Sequence, residues 1–436
     1  MGADAPGPVI DLGVLGPTGD DEPPAGPGLR HALPGTVRNT AAAVLAVLAA
    51  VLLGGSAPPP GERVAQLAAI SIDGVRAHTL GDELVYVLAA GADALSAYRL
   101  DDGTLRWTVP VDPGTFDVQF LPRIGAVLGT TADERTTAFD AVTGARRWRA
   151  PGGFAGDLGE HLLFTTRLAG TGDRMAVADP ATGAARWEFA LPADGSITLD
   201  ERAGEVYLLA ADGTLTVRRL ADGAVLRGGR LDRQVPAGDP SAWARLQSDD
   251  GLLMLVETDA LGATTVSTYL SDTFALAWRR PVDTEGVNRC GPLLCLTDAR
   301  SVRTLDPRTG AERWTNRQWR WTGEQVAGHL VGNAATDDDP DLGLIDAATG
   351  RTVAELGPVN LVRGDDWLVL RRERVPGRRL VLGARTVVSR LTAGGPPAVL
   401  GTVSGVVWQS CRATGRYLVC PTVLGMLTVH RVEGRG

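Results

Sequence analysis

The sequence predicts an all-β chain: a β-propeller of eight or nine four-stranded blades, preceded by a single transmembrane helix and a disordered N-terminal tail. Three observations carry this reading. A hairpin signature repeats at a spacing of about 40 residues, the period of a four-stranded blade. Short runs of alternating apolar and polar residues fill the chain from residue 63 onward, with no stretch of helical period of useful length. An uncharged apolar run at 40–57 precedes them, after a Pro- and Gly-rich leader.

The signature is clearest at 303–314, R-T-L-D-P-R-T-G-A-E-R-W. It returns at 137–148 as T-A-F-D-A-V-T-G-A-R-R-W and at 176–187 as A-V-A-D-P-A-T-G-A-A-R-W. A strand runs into an Asp, a Thr-Gly turn follows, and the next strand carries Trp four residues past the Gly. Glycine suits such a turn because it takes positive φ without a Cβ clash. The Gly positions are Gly103, Gly144, Gly183, Gly223, Gly310 and Gly350, with Phe274 in the equivalent place of one copy. The Trp positions are Trp107, Trp148, Trp187, Trp278 and Trp314, with Arg227 and Ala354 in two degenerate copies. The step from Gly223 to Phe274 is longer than the others.

An eighth unit spans about 359–401, its turn near Gly394 and Gly395. Three more strands are expected at 406–411, 417–421 and 426–432, and the chain stops where a fourth is due. Residues 64–72 supply it from the other end of the domain, which closes the ring and leaves no long free edge.

The leader, 1–39, buries too little apolar surface to offset chain entropy and reads as a disordered cytoplasmic tail, with one apolar island at 9–15. Residues 40–57 are near the lower length limit of a membrane span. The long region before them, and Pro58-Pro59-Pro60 directly after, favour an uncleaved anchor over a cleaved signal peptide. Residues 58–62 read as a stiff spacer and 63–436 as the propeller. Arg30 and Arg38 before the span are balanced by Arg63 and Arg76 after it, so basic residues orient it only weakly.

The four cysteines form no C-x-x-C pair. Cys290 with Cys295, and Cys411 with Cys420, sit at spacings that place each pair across one hairpin. Two local disulfides are the favoured connectivity, with four reduced thiols as the alternative. Disulfides belong to an oxidising compartment, which sets the orientation: tail inside, propeller extracytoplasmic at the cell membrane.

The pattern A-x-D-x-x-T-G-x-x-x-W resembles the repeat of the pyrroloquinoline-quinone-type (PQQ-like, BamB-like) propellers, here over about 63–436, and the membrane-anchored actinobacterial type among them. The resemblance implies that the Trp and the Thr-Gly turn dock one blade on the next and do no chemistry. It also implies a choice between two branches. Quinone-dependent dehydrogenases carry a catalytic Asp, a Glu and an Asn on calcium, and often adjacent Cys residues. Cofactor-free propellers, the assembly lipoproteins among them, carry none of these. This chain has no neighbouring Cys pair and no lipid-bearing Cys after the span. Its five Asn (Asn39, Asn288, Asn316, Asn333 and Asn360) fall in no ligand motif.

The net charge of −8, from 43 basic and 51 acidic residues, argues against a nucleic-acid partner. Every basic residue apart from His is Arg, which matches the codon bias of a GC-rich genome. The acidic run Asp337-Asp338-Asp339-Pro340-Asp341 lacks the spacing and Gly bend of a calcium loop and reads as a solvated hairpin. The histidines, 31, 78, 161, 329 and 430, are isolated. No nucleophile elbow, phosphate loop or dinucleotide fingerprint is present. No catalytic, cofactor-binding or metal residue is therefore expected. Trp319 and Trp321 lie outside the repeat and alternate with Arg320, so both are expected on one face of a strand, as a candidate interface or as core. Trp243 and Trp367 are weaker candidates of the same kind.

Taken together, the expected function is that of a membrane-anchored, extracytoplasmic scaffold that binds other proteins or envelope components. A quinone-dependent oxidoreductase and an extracytoplasmic sensor are the alternatives.

Overall fold

A computed structural model describes residues 63–433, apart from 92, 169–171, 192–194, 235–242, 299, 335–340, 374–383 and 393–395. The leader, the candidate span at 40–57, the acidic residues 337–340 and the turn at Gly394 and Gly395 lie outside the described residues. Among the described residues no helix is long and apolar enough to cross a membrane.

Nine antiparallel sheets of four strands follow one another along the chain. They comprise residues 75–110, 115–151, 153–190, 196–230, 243–282, 286–316, 321–358 and 360–404, then 412–432 joined by 64–70. We number them blades 1 to 9. The nine-blade reading holds and the eight-blade one does not. The extra length between Gly223 and Phe274 falls between blades 4 and 5, where the strand Val225–Arg230 ends well before Trp243–Asp249 begins.

Each strand forms for the reason the sequence suggested. Val, Leu, Tyr and Thr alternate on a pleated surface and bury on both faces, as in Leu84–Ala89 and Leu252–Thr258. The cores lie between blades. Nine apolar clusters each draw on two neighbouring sheets, and together they run round the ring without a gap. The cluster that closes the ring joins Ile70, Val419, Leu427 and Val429 of blade 9 to Val85, Val87 and Leu100 of blade 1.

Closure joins the two ends of the domain without a covalent link. Val64–Ile70 pairs antiparallel with Leu427–Val432, Val64 facing Val432 and Ile70 facing Leu427. The N-terminal strand thus pairs the backbone of Leu427–Val432 and gives blade 9 the outer strand that every other blade has. One expected strand differs. Residues 407–411 do not pair as a strand: a 3-10 turn, Trp408–Ser410, precedes a short inner strand, Arg412–Thr414. Trp408 turns inward here and is buried in the cluster between blades 8 and 9.

The first strand of each blade is innermost, and successive first strands face one another around a central channel. In every blade the pairing of the third and fourth strands slips by one residue, twice in blade 7, and in blades 1 to 7 a slip falls just before the Trp slot. Such a bulge re-aims a side chain, here toward the neighbouring blade.

Candidate functional site

The repeated residues form the joints of the ring. Trp148 of blade 2 lies flat on Gly183 of blade 3: a Cβ at Gly183 would stand 2.5 Å from the ring. Gly183 has φ of 68°, so the turn and the close approach both require glycine. Trp107 covers Gly144, Trp187 covers Gly223, Trp278 covers Gly310 and Trp314 covers Gly350 in the same way. Each indole N–H also donates to a carbonyl in the next blade's turn: Ala141, Pro180, Leu220, Pro307 and Ala347 accept at 2.8–3.2 Å. Gly103, the first of the series, is covered by Ala68 of the N-terminal strand, so the closing joint uses the same geometry with the smallest apolar side chain.

The repeat Asp serves the turn itself. Asp140 accepts from the backbone N–H groups of Val142 and Thr143 and from Arg147 at 2.6 Å. Arg147 and these N–H groups hold its carboxyl down to about 2. Arg186 and Arg313 lower Asp179 and Asp306 in the same way. In the turn of blade 7 no such Arg leads, and the Thr349 hydroxyl and backbone N–H lower Asp346 instead.

Both disulfides are present: Cys290–Cys295 and Cys411–Cys420. Their geometry differs. Arg412 faces Val419, so Cys411 and Cys420 stand directly opposed, Cα atoms 4.2 Å apart. Cys290 faces Leu293 instead, and its bond to Cys295 runs diagonally across the hairpin.

Trp319 is not an interface residue. It precedes the strand Trp321–Val326 instead of sharing it, is 2% exposed, and covers Gly332 and Gly343 of blade 7. Its indole N–H donates to Thr352 Oγ1 at 3.0 Å. The two glycines leave a trough that a buried indole fills, which decides between interface and core. Trp321 begins that strand opposite Asn333, and its side chain lies outside the described residues. Trp243 is half exposed and Trp367 half-buried.

One concave feature was not legible in the sequence. A cavity of about 900 Å³ opens on the channel, walled by the inner strands of blades 8, 9, 1 and 2. Arg76, Arg363 and Arg412 line it, with Asp117 as the one carboxylate among the described lining residues. Arg76 donates to the carbonyls of Thr115 and Ala90, both at 2.9 Å. The Arg363 guanidinium lies 5.8 Å from the centre of the Trp367 ring. His78, from the same wall, is buried, and burial followed by the nearby Arg412 cation pushes it down to about 4, so it is neutral at neutral pH. Of the other histidines, His430 is buried and shares a hydrogen bond with Thr428 Oγ1 at 3.1 Å.

Among the described residues no three His, Cys, Asp or Glu stand together as a metal site. A calcium-held quinone would need clustered carboxylate and amide oxygens. The cavity wall instead offers three cations, and Asn360 spends its amide N–H groups on the carbonyls of Trp408 and Gln409. The described lining therefore lacks the oxygen ligands that the calcium ion would need.

A family model described as "Outer membrane protein assembly factor BamB" matches residues 56–157 and 132–279. Comparison with curated proteins gives no match. Among solved structures, BamB from Moraxella catarrhalis is 14% identical, with 84% of this chain and 99% of that one covered and a TM-score of 0.45. A computationally designed protein, Ika8, is 14% identical, with coverages of 84% and 100% and a TM-score of 0.42. A quinohemoprotein alcohol dehydrogenase, ADHIIG from Pseudomonas putida HK5, is 12% identical, with coverages of 86% and 77% and a TM-score of 0.41. Likeness at this level says nothing of what the chain binds.

Proposed function

The chain belongs to the family of the outer membrane protein assembly factor BamB, and from that premise we propose that it is a non-enzymatic binding or scaffold module for other proteins or envelope components. The observation that carries this reading is the way the ring is built. The repeated Trp, Gly and Asp residues are consumed by joints and turns, which leaves the faces and the channel of the ring to present other side chains. A rigid surface binds with little ordering cost, because its loops are held by the scaffold before a partner arrives.

We further propose that residues 40–57 anchor the chain as a single span at the cell membrane and that the propeller is extracytoplasmic. The two disulfides support this, since they persist in oxidising compartments. So does the apolar, uncharged run itself.

The test is crosslinking in intact cells with a tagged full-length chain, followed by the same experiment on a chain carrying substitutions confined to one propeller face. Recovery of one envelope protein, lost with the face substitutions, supports the scaffold reading. Purified chain that takes up pyrroloquinoline quinone with calcium stoichiometrically and reduces a dye would overturn it. Protease added outside intact cells should degrade the propeller; full protection would sink the proposed orientation.

A further inference from the structure

The cavity between blades 8, 9, 1 and 2 has a chemistry that the packing of the ring does not account for. Arg363 and Arg412 carry no ion pair among the described residues, and what sets them apart is that they line one concave space together with Arg76. Arg76 donates to two backbone carbonyls and has no ion pair among the described residues. Three cations thus face one concave space in which Asp117 is the single carboxylate among the described residues. Like charges gathered in a cleft with low-dielectric walls raise the local potential and concentrate anions there. Such an arrangement costs stability unless an anion offsets it.

Between the cations the wall carries apolar surface. Phe116 points from the inner strand of blade 2 and is 54% exposed, though it lies within the channel and not on the outer rim. Leu361 and Val407 lie on the same wall. His78 adds a buried neutral imidazole whose Nε2 has no hydrogen-bond partner. Cations separated by apolar surface, with an exposed ring among them, match a ligand with spaced acid groups on an organic frame.

We propose that this cavity binds an organic anion carrying at least two carboxylate or phosphate groups, held by Arg76, Arg363 and Arg412 with its frame against Phe116. The three arginines come from the inner strands of blades 1, 8 and 9. The inner strand of blade 9 lies against those of blades 8 and 1, so the ligand also spans the joint where the ring closes. Cys411, bonded to Cys420, borders the cavity beside Arg412 and fixes the start of that strand. The site does not rest on the scaffold reading, since a partner on the ring's faces and a ligand in its channel can each exist without the other.

The experiment is calorimetric titration of the purified full-length chain with trimesate, a planar aromatic tricarboxylate, and with pyrophosphate. Benzoate is the single-charge control. Trimesate or pyrophosphate should bind saturably and more tightly than benzoate, and which of the two binds distinguishes carboxylate from phosphate chemistry. The double variant R363Q/R412Q should weaken that binding by about tenfold or more. The exposed control Arg106→Gln, on the outer strand of blade 1, should leave it unchanged. The bound anion should raise the melting temperature of the wild type and not of the double variant, whose own melting temperature in buffer shows that it folds. Absence of saturable binding by both polyanions overturns the proposal. So does equal affinity in the wild type and the double variant.

Discussion

Arg227 and Phe274 form a joint in which both partners of the usual pair are exchanged. Arg227 stands in the Trp slot of blade 4, and Phe274 stands in the Gly slot of blade 5 with φ of 58°. The guanidinium carbon lies 6.0 Å from the centre of the Phe274 ring. The Phe274 ring in turn covers Gly229, so the aromatic ring and the glycine have changed blades. Arg227 even donates to the carbonyl of Ser271 at 3.2 Å, in the turn position where five other joints place an indole N–H. It also pairs with both oxygens of Glu205, at 2.6 and 2.7 Å.

A coupled substitution tests this exchange. Arg227→Trp alone should be destabilising, because it drives an indole into the Phe274 ring and leaves Glu205 half-buried without its cation. Phe274→Gly alone should be destabilising through the lost contact with Gly229 and Arg227. The double variant should recover part of the loss, with a coupling of about 1–3 kcal/mol in a denaturant double-mutant cycle. Strict additivity would mean that the two residues do not form one joint.

The standard joint is the second target. Trp148→Ala should cost about 3–5 kcal/mol, the usual loss for a large buried aromatic ring. Gly183→Ala should also destabilise, because its φ of 68° and the ring 2.5 Å from the new Cβ both oppose a side chain. Urea unfolding measures both. A neutral Gly183→Ala would show that the turn and the indole can move apart freely.

Ring closure is the third. Deleting residues 1–72 removes the outer strand of blade 9 and leaves Leu427–Val432 as an open apolar edge. The shortened chain should self-associate in size-exclusion chromatography and unfold at lower denaturant than a chain cut before residue 60. Identical behaviour of the two would mean that the strand is dispensable.

Acid should act in two steps. His78 and His430 are buried and both lowered to about 4, below their ordinary value of 6.5. The unfolded chain therefore binds the proton first, and stability falls as pH drops from 6.5 toward 4. The turn carboxylates follow. Asp140 is lowered to about 2 from 3.8, so its contribution is present above 3.8 and is lost as pH falls through 2. Asp179, Asp306 and Asp346 shift in the same direction. Unfolding free energy measured across that range checks the order, and His430→Gln should flatten the upper step only.

The disulfide Cys411–Cys420 should contribute about 2–3 kcal/mol through the chain entropy of its short loop. The pair C411S/C420S, read by denaturant titration under non-reducing conditions, should show that loss. In the native chain both disulfides should leave no thiol for alkylation.

Much of this was legible in the residues. The period of the Thr-Gly turn, the Trp beyond it and the missing last strand were enough to place eight or nine blades and the strand that closes them. Trp319 was not, because an off-repeat Trp reads alike whether it meets a partner or a trough, and only Gly332 and Gly343 on two other strands show the trough. The spacing gave the Cys290–Cys295 pairing but not its diagonal course, since spacing alone does not say which residues of a hairpin stand opposed.

The sequence by itself determined the architecture, since local turn chemistry and strand alternation repeat wherever a blade forms and need no distant contact to be read. The cavity was decided by tertiary structure alone. Arg76, Arg363 and Arg412 lie on strands from opposite ends of the chain, and no local pattern marks them. They meet because the first blade packs against the last, which sets the inner strands of blades 8, 9 and 1 side by side.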